Sequence, residues 1–324
     1  MPILTDSHEV RARFEEAGRK NTPILCPNAE TPDEMEGVLL AAEDFRCARG
    51  LERITVGVGI TATYPDHPQL AFLSGHKNSN GDILEEAART WLGWLGLVAA
   101  QKRFSQVEAV PFLDHGWAAH EADRHLMTAT WFQDAMGLIM FDASSCDFAE
   151  NVTLTGEYVA SVNERVVVEG CPDKVYERAE LEAKGLGEAD LLSDPDQVES
   201  FLRKTGVFLV VPNLGTEHRS ASDDPLEYQA DLARELKKRV GPRLALHGTS
   251  SLGGRIGTVG RDGVCKINYY TAMAREASAS VRSEWAQHPE RLPIGQACGS
   301  FLFRTRREAV RQNLLTVLHT LAVD

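Results

Sequence analysis

The chain has 324 residues, of which 43% are hydrophobic and 25% charged, and its formal net charge is −13. This composition is ordinary for a soluble globular protein. The acidic balance argues against a nucleic-acid or anionic-membrane surface, because such surfaces need clustered Lys and Arg. No stretch approaches the roughly 20 uninterrupted apolar residues that a membrane helix needs. The first twenty residues are rich in Glu and Arg, and we do not expect them to form a signal peptide.

Six cysteines are scattered along the chain without a CxxC pair. In a chain of this size such spacing is typical of reduced thiols, and we expect a cytoplasmic protein. The length suits one α/β barrel of about 250 residues with insertions. We therefore expect residues 1–324 to form a single domain.

Short apolar strands alternate with amphipathic helices along the chain. The predicted strands cover residues 23–26, 53–58, 107–113, 137–142, 165–169, 207–211, 243–246 and 263–268. The predicted helices between them cover 31–49, 83–101, 120–135, 153–163, 195–205, 226–240 and 254–260. Two of these helices begin with an N-cap residue followed by proline, at Thr31-Pro32 and at Asp194-Pro195.

Eight such units with continuous apolar strands predict a (β/α)8 TIM barrel from about residue 20 to 270, followed by a C-terminal helical extension over 271–324. An open, doubly wound sheet is the alternative, because the same alternation produces both architectures. A tail of this kind packs on its own barrel or on a second subunit.

Three histidines stand at the ends of apolar strands: His115 after the third, His218 after the sixth and His247 after the seventh. In a barrel these strand ends meet at one rim, whereas an open sheet would spread them apart. Three imidazoles on one rim can converge on a single divalent ion, of which zinc is the best fit. The histidines thus favour both the barrel and a metal site.

Two connections are longer than the usual few residues. One covers residues 59–82 after the second strand, and the other covers 170–192 after the fifth. Both lie on the side where barrel active sites form. Each is predicted to act as a lid or a substrate clamp.

Five short motifs in this order resemble those of the class II, metal-dependent fructose- and tagatose-bisphosphate aldolases, over about residues 22–274. They are LDHG at 113–116, FDAS at 141–144 with FAEN at 148–151, GTEH at 215–218, LHG at 246–248 with Ser250, and KIN at 266–268. The resemblance implies an aldolase that cleaves or forms a ketose phosphate or related keto-sugar through a metal-stabilised enediolate. The metal would be Zn²⁺ or another divalent cation such as Mn²⁺ or Co²⁺.

The resemblance also assigns residues. His115, His218 and His247 would bind the metal, with Glu169 as a further acidic ligand whose alignment is open by one residue. Asp114 would be the catalytic acid/base at the cleaved hydroxyl, unless it only caps the turn after its strand. Asp142 would accept a hydrogen bond from a ligand histidine, or act as a buried structural Asp. The substrate would contact Asn28, Gly215, Arg219, Gly248, Ser250, Asn268 and Thr271.

The sequence departs from the family where the family binds phosphate. Arg219 and Ser251 replace glycines, and Tyr269 and Tyr270 bring bulky rings beside the expected anion pocket. Lost glycines reshape a backbone phosphate cradle, and Arg219 could supply a new donor. The glycine-rich acidic run after the fifth strand is also missing, so which acid there acts as base is open. These changes weaken the prediction of fructose 1,6-bisphosphate as the substrate more than they weaken the prediction of a metal site.

Two other functions stay open from the sequence. A metal-dependent sugar-phosphate epimerase or isomerase would keep the metal and the enediolate, and a non-catalytic barrel would bind a sugar or a protein partner. Lys266 also invites a Schiff-base mechanism, which no other feature supports. The resemblance and the long tail together predict a homodimer or homotetramer.

Overall fold

The computed structural model describes residues 3–64, 68–75, 81–174, 192–216, 227–249, 252–291 and 300–322. Eight parallel strands form one sheet in the order β1-β8-β7-β6-β5-β4-β3-β2. They are β1 (Ile24–Pro27), β2 (Ile54–Ile60), β3 (Val107–Trp117), β4 (Leu138–Asp142), β5 (Val167–Gly170), β6 (Leu209–Val210), β7 (Leu244–Leu246) and β8 (Val264–Tyr269). A single parallel bridge between Asn28 and Gly59 joins β1 to β2 and completes the barrel.

The predicted TIM barrel is therefore confirmed, and each predicted strand overlaps an observed one. Most strand residues are buried without alternation, as expected for a parallel sheet that is covered on both faces. Gly59 keeps the β2 backbone close to its neighbours. A Cβ there would lie 2.1 Å from the Phe112 ring and 2.6 Å from Asn28 Oδ1, so a larger residue would push β2 away.

The helices surround this barrel. They are α1 (Ser7–Lys20), α2 (Pro32–Arg49), α3 (Gln69–Leu73), α4 (Gly81–Ala99), α5 (Glu121–Thr128), α6 (Thr130–Ala135), α7 (Phe148–Val162), α8 (Pro195–Thr205), α9 (Ala230–Val240), α10 (Thr271–Gln287) and α11 (Ser300–Leu321). Among the described residues, no helix combines the length and apolar character that crossing a membrane requires. The five described cysteines, Cys26, Cys47, Cys146, Cys171 and Cys265, form no disulfide.

Two predicted helices are wrong in detail. The helix predicted over 120–135 is two helices, α5 and α6, because Ala129 has an extended backbone. Side chains satisfy the carbonyl freed by this break, since Gln133 Nε2 and Tyr158 Oη donate to Met127 O at 2.9 and 3.2 Å. The helix predicted over 254–260 is two short 3-10 segments, Gly253–Gly257 and Val259–Asp262. Its glycines disfavour an α-helix.

Helix α1 covers the N-terminal end of the barrel. Asp6 caps it by accepting hydrogen bonds from the backbone of His8 and Glu9. Its buried Val10 and Phe14 pack with residues from the starts of the strands, including Phe208. This end of the barrel is thereby closed by an apolar plug, opposite the end where the histidines lie.

The C-terminal extension packs on its own barrel. Helix α11 lies against α2, where Gly37 allows close approach: a Cβ there would lie 2.7 Å from Arg307 O. Arg306 Nε contacts Asp33 Oδ2 at 2.6 Å, and Arg311 Nε contacts Asp44 Oδ2 at 2.5 Å. We expected the tail to pack either on its own barrel or on a second subunit, and the structure shows it on its own barrel.

Candidate metal centre and active site

An irregularity at the end of β3 brings two functional side chains together. Successive residues of a regular strand point to opposite faces, which would separate Asp114 from His115. Here the register of β3 against β4 shifts between Leu113 and Gly116, and His115 has a left-handed backbone with φ 50°. A bulge of this kind redirects side chains and is common beside active sites. Both side chains join one cluster as a result.

The cluster contains Asp114, His115 and His247, all buried. Each offers one atom able to bind a metal, and these atoms lie within 4.8 Å of one another. The two imidazole rings have centroids 4.9 Å apart and meet edge to face. The ends of β3 and β7 thus deliver two of the three predicted histidines to one place.

Asp142, at the end of β4, orients His115. Its Oδ2 lies 2.6 Å from His115 Nδ1, so Nδ1 carries the proton and Nε2 is the nitrogen suited to a metal. Burial alone would raise the pKa of the Asp142 carboxyl, but hydrogen bonds from His115 and Ser144 outweigh burial and hold this pKa at about 2. Burial also disfavours the charged form of His115, yet the bond to Asp142 and the nearby carboxylates raise its pKa. The structure contains the hydrogen bond to His115 expected of Asp142, whereas metal binding by His115 stays a prediction.

His247 is held by groups from two other strands. Its Nε2 lies 3.0 Å from Glu169 Oε1, and Lys266 Nζ contacts both oxygens of Glu169, at 3.1 and 2.8 Å. Burial lowers the pKa of His247 well below its ordinary value; Asp114 opposes this, while His115 and Lys266 add to it. A neutral imidazole is the form that binds a metal. Glu169 lies outside the three-residue cluster, so its role as a metal ligand stays a prediction.

Asp114 is clamped by two side-chain amides. Asn28 Nδ2, from the end of β1, donates to Asp114 Oδ2 at 2.9 Å. Asn268 Nδ2, from β8, donates to Asp114 Oδ1 at 2.8 Å. Both carboxylate oxygens therefore accept a hydrogen bond, which fixes the orientation of the group. Lys266 donates in turn to Asn268 Oδ1 and so orients that amide.

A second layer supports the amide of Asn28. Gln69, on α3 in the connection after β2, receives a hydrogen bond from Thr61 N at 2.8 Å and donates to Glu30 Oε1 at 3.1 Å. Tyr270 Oη donates to the same Glu30 oxygen at 2.6 Å. The Tyr270 side chain, which follows β8, thus reaches across the rim to the loop after β1.

Other predicted site residues are less defined. His218, Arg219 and Ser250 lie outside the described residues. Gly215 and Gly248 both have positive φ, 79° and 67°, so a side chain would be strained at either position. Thr271 begins α10 directly after β8. The roles of these residues in binding substrate stay predictions.

The sequence analysis did not single out three contacts of the site. The Tyr64 ring lies against the His115 ring, with centroids 4.9 Å apart and the ring planes tilted by 35°. Thr216 Oγ1 donates to His247 O at 2.7 Å and ties the GTEH segment to the LHG segment. The Lys266–Glu169 ion pair is the third. In the sequence, this ion pair was indicated only by one charged residue in each of two otherwise apolar strands.

Comparison with known proteins identifies the family. The chain matches the family "Fructose-bisphosphate aldolase class-II" over residues 9–319, and it belongs to that family. YdjI of Escherichia coli K12 is 28% identical over 185 residues, which cover 56% of this chain and 64% of YdjI. A fructose-bisphosphate aldolase of Giardia intestinalis is 28% identical over 184 residues, 47% of this chain and 54% of the relative. The chain thus aligns with between half and two thirds of these relatives.

Solved structures share the fold over nearly the whole chain. The crystal structure of the YdjI aldolase superimposes with a TM-score of 0.67 at 22% identity, covering 97% of each chain. Fructose-bisphosphate aldolase from Campylobacter jejuni gives a TM-score of 0.77 at 16% identity, covering 98% of this chain and 95% of that one. At such identities the likeness establishes the barrel architecture alone.

Proposed function

We propose that this protein is a metal-dependent aldolase that cleaves or forms a ketose phosphate or a related polar keto-sugar. The observation that carries the proposal is the amide-clamped Asp114 carboxylate beside two buried imidazoles. A capping role alone would not require this carboxylate to be held by two amides next to ligand nitrogens. Family membership agrees with this assignment.

The donors present fit a divalent cation. His115 offers Nε2 because Asp142 occupies Nδ1, and burial keeps His247 neutral. Imidazole nitrogens suit Zn²⁺, with Mn²⁺ or Co²⁺ as alternatives. We assign the metal to His115, His247 and, by its place in the GTEH motif, His218. As long as Lys266 holds Glu169, this carboxylate would orient His247. Glu169 also remains the candidate for a further metal ligand.

A bound cation would supply Lewis-acid polarisation of the ketone oxygen. Asp114 would take the proton from the hydroxyl next to the cleaved carbon–carbon bond, and would return it in the synthetic direction. Asn28 and Asn268 hold the Asp114 carboxylate in one orientation. Preorganisation of this kind means that the base does not have to reorient during the reaction.

Covalent catalysis by Lys266 is disfavoured. Its side chain is fully buried and contacts both oxygens of Glu169, so the amine has no open face for a carbonyl carbon. We therefore assign Lys266 a supporting role, in which it orients Glu169 and Asn268.

The substrate would lie on the rim formed by the strand ends. We propose that Gly215, Gly248, Ser250, Asn268 and Thr271 face it, with Arg219 as an anion donor and Asn28 near the cleaved bond. A cytoplasmic homodimer or homotetramer remains our expectation for the assembled protein.

Purified enzyme loaded with Zn²⁺, Mn²⁺ or Co²⁺ would test the proposal on a panel of ketose phosphates and keto-sugars. An aldolase needs an aldehyde to form a carbon–carbon bond, but exchanges the proton next to the carbonyl of dihydroxyacetone phosphate without one. Proton exchange together with epimerisation, and no bond formation with any aldehyde, would identify an epimerase instead. Absence of exchange with every metal would contradict both enzymatic functions.

A further inference from the structure

A group of arginines lies at the N-terminal end of the barrel, opposite the metal centre. Arg11 and Arg19 stand on one face of α1, and Arg243 immediately precedes β7. A cavity of about 190 Å³ opens between Arg19 and Arg243, and Arg11 lies beside it, against the lining residue Phe208. It is lined by Phe14, Glu15, Arg19, Phe208, Leu209, Pro242, Arg243 and Cys265.

Close packing of α1 creates this arrangement. Gly18 faces the loop before β7, and a Cβ at that position would lie 2.5 Å from Pro242 O. Only glycine lets the helix approach so closely, and the approach brings its arginine-bearing face next to Arg243. Arg11 and Arg243 share one aromatic neighbour: their Cζ atoms lie 4.9 and 5.6 Å from the centroid of the buried Phe208 ring.

The positive charges of this group are not matched by ion pairs. Within the described parts of the chain, no carboxylate lies within 4.0 Å of a charged nitrogen of Arg11, Arg19 or Arg243. Among the described residues that line the cavity, Glu15 is the one acid. Glu164 also acts on Arg11, so three guanidinium groups and two carboxylates leave a formal charge of +1 in this region, on a chain whose net charge is −13.

Other arginines near this end are paired. Arg13 binds Glu108 at 2.6 Å, and Arg165 lies 3.6 Å from Asp134. Burial lowers the pKa of Arg11, and Arg243 lowers it further, against opposing effects of Glu164 and Glu15. Two half-buried guanidinium groups on one ring repel each other, and a bound anion would relieve that repulsion.

We propose that this cavity is a second anion-binding site that takes a phosphate group, either as free phosphate or on a small phosphate monoester. The guanidinium groups at its mouth would bind the oxygens, since their planar geometry suits bidentate contact with phosphate. The apolar floor of Phe14, Phe208 and Leu209 would accept a short carbon chain of an ester. The site is independent of the proposed aldolase reaction, because the whole barrel separates it from the metal centre.

Isothermal titration calorimetry of the full chain in a phosphate-free buffer of low ionic strength tests the site. Inorganic phosphate and glycerol phosphate serve as the two probes. We expect both Arg11→Gln and Arg243→Gln to weaken binding by about tenfold or more, the loss of a charge-assisted hydrogen bond. Tighter binding of glycerol phosphate than of phosphate would identify the ester as the ligand, and equal binding would identify the free ion.

Arg165→Gln is the matched control, because it removes the same charge at the same end of the barrel from a paired arginine. It should leave both affinities unchanged. Phenylglyoxal labelling of the wild-type protein gives a second readout that needs no variant: phosphate should slow modification of Arg11, Arg19 and Arg243 but not of Arg165. No binding by the wild type, equal affinities in all variants, or protection confined to other arginines would overturn the proposal.

Discussion

Replacing Asp114 with alanine separates the base from the metal site. Loss of a positioned general base typically costs 10²–10⁴-fold in rate, equivalent to about 3–5 kcal/mol of activation free energy. The variant also deprives the amides of Asn28 and Asn268 of their acceptor. Because water can enter the vacated space, we expect the free energy of unfolding to fall by only about 1–3 kcal/mol.

His115 and His247 keep their positions in Asp114→Ala, since Asp142 and Glu169 hold them independently. The variant should therefore bind one divalent ion like the wild type while its kcat for ketose cleavage falls by the stated factor. Metal content by mass spectrometry, initial rates and urea unfolding measure the three quantities. Asp134→Ala, which removes an exposed carboxylate on α6, is the control. Full activity in Asp114→Ala would refute the proposed role.

Three further predictions concern metal binding and stability. Replacing His115, His218 or His247 with alanine should abolish metal binding and turnover together. Metal analysis alongside rate assays would measure both losses. A histidine whose alanine variant kept both properties would not be a metal ligand. Burial alone would raise the pKa of Glu108, but hydrogen bonds from Arg13 and Thr55 lower it, so its ionised form stabilises the fold at neutral pH and that contribution is lost as the pH falls through the lowered pKa. Glu108→Gln should therefore cost about 1–3 kcal/mol at neutral pH, and urea unfolding at a series of pH values should show this cost shrinking as the pH falls below 4.5, the ordinary pKa of Glu; a cost that does not change with pH would contradict this. Phe14→Ala should cost about 3–5 kcal/mol by opening the plug under the barrel, and a cost below 1 kcal/mol would show that α1 contributes little.

The barrel could be predicted from the sequence because the patterns that indicate its strands and helices are local. Each strand is a short apolar run, and each of two helices begins with a capping residue and proline. Helix α1 was not predicted, although Val10, Phe14 and Ala17 follow helical spacing and Asp6 caps it. The break between helices α5 and α6 at Ala129 could not be predicted, since the side chains that donate to Met127 O come from residues up to 31 positions away.

The site was predictable in its residue types and less so in its contacts. Motif order was enough to identify Asp114, His115 and His247 as neighbours. The bulge at His115 that lets adjacent residues share one cluster leaves no mark in the sequence. The amide clamp on Asp114 depends on the closure of β1 and β8 around the barrel, which only the three-dimensional structure provides.

The claim on which the rest depends is that histidines from separate strands bind one cation at the carboxyl end of the barrel. Crystals of protein purified without chelator, measured at the zinc absorption edge, test it most directly. We predict one anomalous peak about 2.0–2.1 Å from a ring nitrogen of His115 and of His247, with His218 as third ligand. A peak at another place, or none after Zn²⁺ is added, would contradict the account.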